Sequence, residues 1–219
     1  MTDMTKARHF MVECQVRPSD VTDTRITDLM SRLERERFVP AARQALAYSD
    51  ACIEVKPGRF LMDPRSLAKL VQALEIRESD RVLDIGCATG YSSALLAGLS
   101  ADVTALEEDE ELAKAASSAL RSVPKLGRLS GAVGPLKQGA SQHAPYDVIF
   151  VNGAVEEIPQ AWVEQLKDGG RLGVIINDGP NGKANFCVRK AGTLGKRVVF
   201  DATVPVLPGF ERTRSFVFQ

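Results

Sequence analysis

A β-prone run followed by a glycine-containing turn and a helix-prone stretch, over residues 81–99, constrains the fold of this chain more than any other feature. The run Arg81-Val82-Leu83-Asp84-Ile85 is rich in branched apolar side chains, which favours a buried strand. The stretch from Ser92 to Leu99 favours a helix. A strand that leads through a tight turn into a helix is the repeating unit of parallel α/β folds.

The same strand and helix pattern recurs further along the chain. Strands are predicted at 103–106, 148–151 and 171–176, a weaker one at 129–133 after Arg128, and helices at 109–121 and 158–167. Because each crossover between parallel strands needs a long connection, this alternation predicts a mostly parallel sheet with helices on both faces. The predicted fold class is α/β.

The two ends of the chain depart from this pattern. Towards the N-terminus, helices are predicted over 20–36 and 65–77, with loops and short extended pieces over 41–64. Towards the C-terminus, strands are predicted at 186–189, 196–203 and 215–218 without an amphipathic helix between them, which favours an antiparallel hairpin at the edge of the sheet. We expect one domain over 1–219, with an N-terminal helical extension over 1–78 and an α/β core over 79–219.

Composition narrows the functional classes. Lys plus Arg equals Asp plus Glu at 28 each, so no net charge attracts nucleic acid or an anionic membrane.

The first residues lack the apolar run of a signal peptide, and no run approaches about 18 apolar residues, so we expect a cytoplasmic protein. The cysteines and histidines are scattered, without a C-x-x-C pair, which predicts neither a disulfide framework nor a metal site. These residues are Cys14, Cys52, Cys87, Cys187, His9 and His143.

The loop over 84–91 follows the first predicted strand of the core, where ligands bind in open parallel sheets. A dinucleotide fingerprint would need glycine at positions 86, 88 and 91, but only Gly86 satisfies it, since Ala88 and Tyr91 occupy the other two. The loop therefore does not have the pattern of a dinucleotide-binding turn.

This loop instead combines two glycines with an acid. Gly86 and Gly90 let a ligand approach the backbone closely. The carboxylate of Asp84 would repel a pyrophosphate but would favour an ammonium and a nearby sulfonium.

A second acid, Glu107, ends the next predicted strand. A carboxylate there can accept hydrogen bonds from both ribose hydroxyls of an adenosine. The alternative is a solvated charge that opens the acidic run 107–111. Together with the order and spacing of the 84–91 loop, Glu107 is typical of class I methyltransferases.

The chain resembles the protein-L-isoaspartate O-methyltransferase family from about Arg8 to Val206. The segments that carry the resemblance are Met11-Val12 with Gln15, Arg35-Glu36-Arg37-Phe38-Val39-Pro40, Ala47-Tyr48-Ser49-Asp50, the 84–91 loop, 144–149 and 165–172.

The resemblance implies a Rossmann-like class I methyltransferase sheet that binds S-adenosyl-L-methionine, or its product S-adenosyl-L-homocysteine. Its implied cofactor-binding residues are Asp84, Gly86, Cys87, Ala88, Gly90, Tyr91 and Glu107. Cys87 also fits a small buried apolar residue better than a reactive thiol.

The chain departs from the family at two motifs. The Ser-Gln-Pro or Thr-Gln-Pro acceptor motif falls on Met62-Asp63-Pro64, so the hydroxyl is lost and Asp63 adds a negative charge. The Gly-Asp-Gly motif on the adenine side falls on Gly134-Pro135-Leu136, without its acid. Met62 fits core filling better than a catalytic role.

The acceptor side of the site offers four candidate residues: Met62, Asp63, Asn152 and Tyr48. Asn152 follows a predicted strand and either binds a substrate or forms an Asn-Gly turn. Tyr48 either packs in the core or lines the acceptor pocket. An isoaspartyl carboxylate is already ionised at neutral pH, so no general base is needed and no catalytic residue is assigned.

Three functions remain open. The chain methylates isoaspartyl carboxylates in damaged proteins, or it methylates another acceptor, or it binds the cofactor without turnover. The predicted partners are an isoaspartyl peptide or protein, or another small acceptor, with no nucleic acid and no membrane. We expect a monomer or a weak homodimer.

Overall fold

A seven-stranded mixed sheet forms the centre of the computed structural model, which describes residues 4–179 and 181–212. The strands are β1 (Ile53–Lys56), β2 (Arg59–Leu61), β3 (Arg81–Ile85), β4 (Asp102–Glu107), β5 (Arg128–Val133), β6 (Tyr146–Val155), β7 (Leu166–Ile176), β8 (Lys183–Lys190) and β9 (Thr193–Asp201). The helices are α1 (Met4–Met11), α2 (Thr24–Arg32), α3 (Pro64–Ala73), α4 (Tyr91–Leu99), α5 (Glu110–Arg121) and α6 (Gln160–Gln165).

The strand order in the large sheet is β5-β4-β3-β6-β7-β8-β9, and β1 pairs with β2 in a separate hairpin. Strands β3 to β7 run parallel, whereas β8 and β9 are antiparallel. The predicted α/β class and the antiparallel edge are therefore confirmed. The chain order reverses between β3 and β6, so the crevice at their carboxyl ends is where a ligand is expected.

Apolar side chains of the central strands alternate between two clusters, one on each face of the sheet. Val82 and Phe150 belong to the cluster that also contains residues of α2, α3 and α4. Leu83 and Ile149 belong to the opposite cluster, which contains Trp162 of α6. Because both faces are covered, the strands are apolar along nearly their whole length, as the sequence pattern indicates.

Local signals set the helix ends. Asp109 accepts hydrogen bonds from the backbone N–H groups of Glu111 and Leu112 and so begins α5. The predicted helix over 65–77 ends at Ala73, and Glu75 takes a left-handed φ of 47° that stops it. The predicted helix over 158–167 is only α6, because β7 begins at Leu166.

The N-terminal part has more helix than the sequence pattern predicts. The predicted helix over 20–36 divides into α2 and a 3₁₀ turn at Arg35–Phe38, and α1 precedes them. The strand predicted at 215–218 lies outside the described residues. Within the described part of the chain, no helix has both the length and the apolar character needed to cross a membrane.

Candidate cofactor site

The 84–91 loop at the carboxyl end of β3 is built from three left-handed residues. Gly86 has a φ of 73°, Ala88 of 52° and Gly90 of 95°. Glycine adopts these angles without a Cβ penalty, whereas Ala88 must be held there by its surroundings. The loop thereby turns sharply from β3 into α4, and Gly90 is the N-cap of that helix.

Asp84 is fully buried beneath this loop. Its Oδ2 accepts hydrogen bonds from the hydroxyls of Ser92, at 2.7 Å, and Ser93, at 2.6 Å. Among the described residues, nothing donates a hydrogen bond to its Oδ1. Burial raises the pKa of this carboxyl from 3.8 to about 7, against the opposing effect of the two hydroxyls. Asp84 thereby holds the first turn of α4 through Ser92 and Ser93, and its Oδ1 can still accept a hydrogen bond from a further donor.

Glu107 ends β4 directly beside the loop and is also fully buried. Its Oε2 accepts a hydrogen bond of 2.8 Å from the backbone N–H of Ala88, which holds the strained alanine in place. Its Oε1 accepts hydrogen bonds from the backbone N–H groups of Glu108, at 2.9 Å, and Asp109, at 3.2 Å. The alternative of a solvated charge is therefore wrong, because the carboxylate joins the ends of two strands inside the protein.

Arg59, at the start of β2, completes this cluster and was not among the residues singled out from the sequence. Its Nη1 lies 2.5 Å from Oε1 of Glu107 and its Nη2 lies 2.7 Å from Oε2, which is a bidentate ion pair. Both side chains are buried. A signal was available, since an arginine stands beside the apolar run Phe60-Leu61-Met62, where a buried charge needs a partner.

The space above Gly86 is lined by three side chains. A Cβ at Gly86 would lie 3.4 Å from Nη2 of Arg59 and 3.5 Å from methyl groups of Leu136 and Leu207. Leu136 belongs to the segment that replaces the Gly-Asp-Gly motif, and its carbonyl oxygen accepts a hydrogen bond from Trp162. The loop after β5 therefore has Pro135 where the family pattern has its acid, and it contributes the apolar side chain of Leu136 at the next position.

Asn152 links β6 to the same loop. Its Nδ2 donates a hydrogen bond of 3.0 Å to the carbonyl oxygen of Gly86 and lies 3.5 Å from the carbonyl oxygen of Phe60. The Asn-Gly pair lies within β6, at an irregularity in its pairing with β7, and does not form the turn that was the alternative. Asn152 is buried and holds the 84–91 loop and β2 at their present spacing.

The two residues at the acceptor motif have structural contacts. Met62 is 1% exposed and packs in the hydrophobic cluster on the α2–α4 side of the sheet. Asp63 precedes α3 and accepts a hydrogen bond of 2.8 Å from the backbone N–H of Ser66, so it is the N-cap of that helix. The expectation that Asp63 places a repelling charge at the acceptor is replaced by this capping contact.

The remaining candidates are buried. Burial raises the pKa of the Cys87 thiol well above its usual value, as expected for a small apolar residue. The ring of Tyr91 lies 4.6 Å from the guanidinium of Arg35 and packs edge-on against Phe38. Tyr48 contacts the N-terminal segment, since its hydroxyl accepts a hydrogen bond of 3.0 Å from Nε of Arg8 and donates one to Glu36.

The structure thus brings five of the predicted cofactor positions together at one edge of the sheet, where the backbone N–H of Ala88 donates to the carboxylate of Glu107. Asp84, Gly86, Ala88, Gly90 and Glu107 lie together at the ends of β3 and β4. A mostly apolar cavity of about 790 Å³ adjoins Glu107, between α5 and β5. A buried carboxylate that accepts hydrogen bonds, beside a glycine turn and an apolar cavity, is an arrangement suited to a nucleoside with a cationic tail.

Comparison with known proteins identifies the family. The profile of the protein-L-isoaspartate(D-aspartate) O-methyltransferase family matches residues 7–205. A protein-L-isoaspartate O-methyltransferase of Methylorubrum populi is 37% identical over 182 residues, which cover 83% of each chain. A protein of the same name from Koribacter versatilis is 34% identical over 209 residues, covering 94% of this chain and 93% of that one.

Solved structures agree with the fold. One protein-L-isoaspartate O-methyltransferase superposes with a TM-score of 0.79 at 23% identity, covering 92% of this chain and 66% of that chain. A Plasmodium falciparum structure, described as such a methyltransferase in complex with S-adenosyl-L-homocysteine, gives a TM-score of 0.77 at 19% identity and covers 91% of this chain and 97% of that one. On the extent of the sequence matches, the chain belongs to the protein-L-isoaspartate O-methyltransferase family.

Proposed function

We propose that this chain binds S-adenosyl-L-methionine at the carboxyl ends of β3 and β4 and transfers its methyl group to an isoaspartyl carboxylate of a damaged protein. The observation that carries the proposal is the buried carboxylate of Glu107, fixed by three backbone N–H groups beside the 84–91 loop. A carboxylate held in this way can accept both hydroxyls of a ribose. Family membership supplies the acceptor class.

The residues of this chain divide the work of binding. Glu107 would hold the ribose, and the adjoining apolar cavity suits a nucleobase. The glycines of the 84–91 loop would admit the methionine part, and the free oxygen of Asp84 points to a donor such as its ammonium. When bound, the cofactor supplies a methyl group on a cationic sulfur.

Positioning then suffices for the reaction. The acceptor carboxylate is ionised at neutral pH and attacks the methyl carbon directly, so the protein needs to align the two groups and exclude water. Asn152 of β6 donates a hydrogen bond to the carbonyl oxygen of Gly86 and so keeps the loop in place. We further propose that the chain acts in the cytoplasm as a monomer or weak homodimer, without nucleic acid.

A second candidate is a methyltransferase for another acceptor. The observation that favours it is Met62, which is buried in the core and offers no hydroxyl where the family motif has one. A binding role without turnover is the third possibility. The first two functions differ only in the acceptor that is methylated. The third differs from both because no methyl group is transferred.

The test is a methyl-transfer assay with labelled S-adenosyl-L-methionine and an isoaspartyl peptide beside its aspartyl twin. The proposal predicts label in the isoaspartyl peptide alone, as a base-labile methyl ester. Equal label in both peptides, or none while the cofactor still binds, would transfer the assignment to another acceptor or to a binding role.

A further inference from the structure

The guanidinium of Arg59 covers the edge of Glu107 that a ribose needs. Its two terminal nitrogens donate to both oxygens of the carboxylate, at 2.5 and 2.7 Å. The other hydrogen bonds to these oxygens come from the backbone of Ala88, Glu108 and Asp109. Those three donors are parts of the loop and strand ends and stay with the fold.

A ribose diol and the arginine fork are alternatives at this edge. A carboxylate has about four acceptor positions, and the three backbone donors and the two N–H groups of the fork are already five donors, so no position is left for a hydroxyl. Two hydroxyls would therefore replace the two N–H donors one for one. The ribose diol and the guanidinium of Arg59 therefore cannot bind this edge of Glu107 at the same time.

Charge adds to this competition. Nη2 of Arg59 also lies closest to the position of a Cβ on Gly86, where a ligand must approach the backbone. S-adenosyl-L-methionine carries a sulfonium besides the ammonium and carboxylate of its amino-acid end, so it has one net positive charge, and a buried guanidinium opposes its binding more than that of the net-neutral S-adenosyl-L-homocysteine. A displaced Arg59 side chain would turn towards the exposed tip of the β1–β2 hairpin, at Pro57 and Gly58.

We propose that Arg59 is a specificity-determining residue of the cofactor site, which competes with the ribose diol for Glu107 and sets the affinity for the cofactor. The site then selects ligands that offer two donors to the carboxylate and displace the guanidinium. This inference rests on the proposed function, since it concerns the same cofactor.

The test is isothermal titration of S-adenosyl-L-methionine and S-adenosyl-L-homocysteine into the wild type and Arg59→Gln. Removal of the competing guanidinium should tighten binding of both ligands by about tenfold or more, equivalent to about 1.4 kcal/mol. The gain should be larger for the cationic S-adenosyl-L-methionine. Arg59→Lys keeps the charge but loses the fork, so its affinities should lie between the two.

Arg43→Gln is the matched control. Arg43 forms an ion pair of 2.9 Å with Glu54 on the same hairpin, but it is exposed and does not contact Glu107. Its affinities should equal those of the wild type. Arg59→Gln should fold, because Glu107 keeps its three backbone donors, and a thermal melt checks this. If it does not fold, Arg59→Lys decides the question.

The outcomes separate this inference from the proposed function. Unchanged or weaker binding by Arg59→Gln, with clear binding by the wild type, would overturn the inference alone. No heat and no thermal shift with either ligand, in the wild type and in both variants at millimolar concentration, would overturn the inference and the proposed function together.

Discussion

The hydroxyl of Ser93 donates a hydrogen bond of 2.6 Å to Oδ2 of Asp84, one turn below the loop that turns β3 into α4. The second oxygen of Asp84 has no donor among the described residues. Burial outweighs the hydroxyls and raises the pKa of the carboxyl to about 7. Asp84 therefore makes the free energy of unfolding depend on pH.

The raised pKa of Asp84 fixes the sign of that dependence. The folded state binds this proton more tightly than the unfolded state, so the contribution to the free energy of unfolding is complete below about pH 4 and is lost as the pH rises to about 7. The loss is up to about 1.4 kcal/mol per pH unit. Urea unfolding at several pH values should show a flatter profile for Asp84→Asn than for the wild type. If the free energy of unfolding changed with pH equally in Asp84→Asn and in the wild type, Asp84 would not be the source of this dependence.

Asp63 should matter for the stability of α3 and not for the cofactor. Asp63→Ala removes the N-cap hydrogen bond to Ser66 and should lower the free energy of unfolding by about 0.5–2 kcal/mol. Asp63→Asn retains a capping oxygen and is the control. Urea unfolding measures both, and titration with S-adenosyl-L-homocysteine should show equal affinities. A weaker affinity in both Asp63→Ala and Asp63→Asn would place this carboxylate in the site.

Restoring a hydroxyl at position 62 should not restore an acceptor contact. Met62 is buried among apolar side chains, so Met62→Ser removes packing and buries a polar group, at a cost of about 2–5 kcal/mol. Met62→Leu conserves volume and should cost less than about 1.5 kcal/mol. Thermal melts and methyl-transfer rates measure both variants. A folded Met62→Ser variant with a higher rate would show that position 62 reaches the acceptor.

Asn152 should act on the cofactor through the 84–91 loop. Asn152→Asp keeps the shape but loses the donor to the carbonyl oxygen of Gly86, and should weaken cofactor binding. Asn185→Asp on β8 is the control, since it loses a comparable hydrogen bond, of 2.7 Å to Lys183, outside the site. Titration of both with S-adenosyl-L-homocysteine tests the contrast. Equal affinities would limit Asn152 to a structural role.

The strands of the core and the place of Glu107 could be predicted because they follow from local pattern and one topological rule. β3 has the predicted bounds, and β4 extends the prediction by one residue at each end. Parallel strands place their carboxyl ends together, which brings Glu107 to the 84–91 loop. No such rule applies to Arg59, because its hairpin lies outside the large sheet and reaches Glu107 through tertiary packing.

The sequence around Asp63 fits two different patterns, a helix N-terminus and the acceptor motif of the family. The order Asp63-Pro64-Arg65-Ser66 is typical of a helix N-terminus, with an acid at the cap and proline in the first turn. The acceptor motif of the family, which falls on the same residues, leads instead to the expectation of a charge near the substrate. Family position and local structure gave different expectations, and the structure agrees with the local one.

The central claim is that the Glu107 carboxylate binds the cofactor ribose, and one titration tests it most directly. S-adenosyl-L-homocysteine is titrated into Arg59→Gln, and into the same variant with either Glu107→Gln or Glu164→Gln added, so that the competing guanidinium is absent throughout. Glu164 is the control, since it is exposed on α6 and does not line the cavity beside Glu107. The account predicts that Glu107→Gln weakens binding by about 1.5–3 kcal/mol while Glu164→Gln leaves it unchanged. Equal affinities in all three proteins would contradict it.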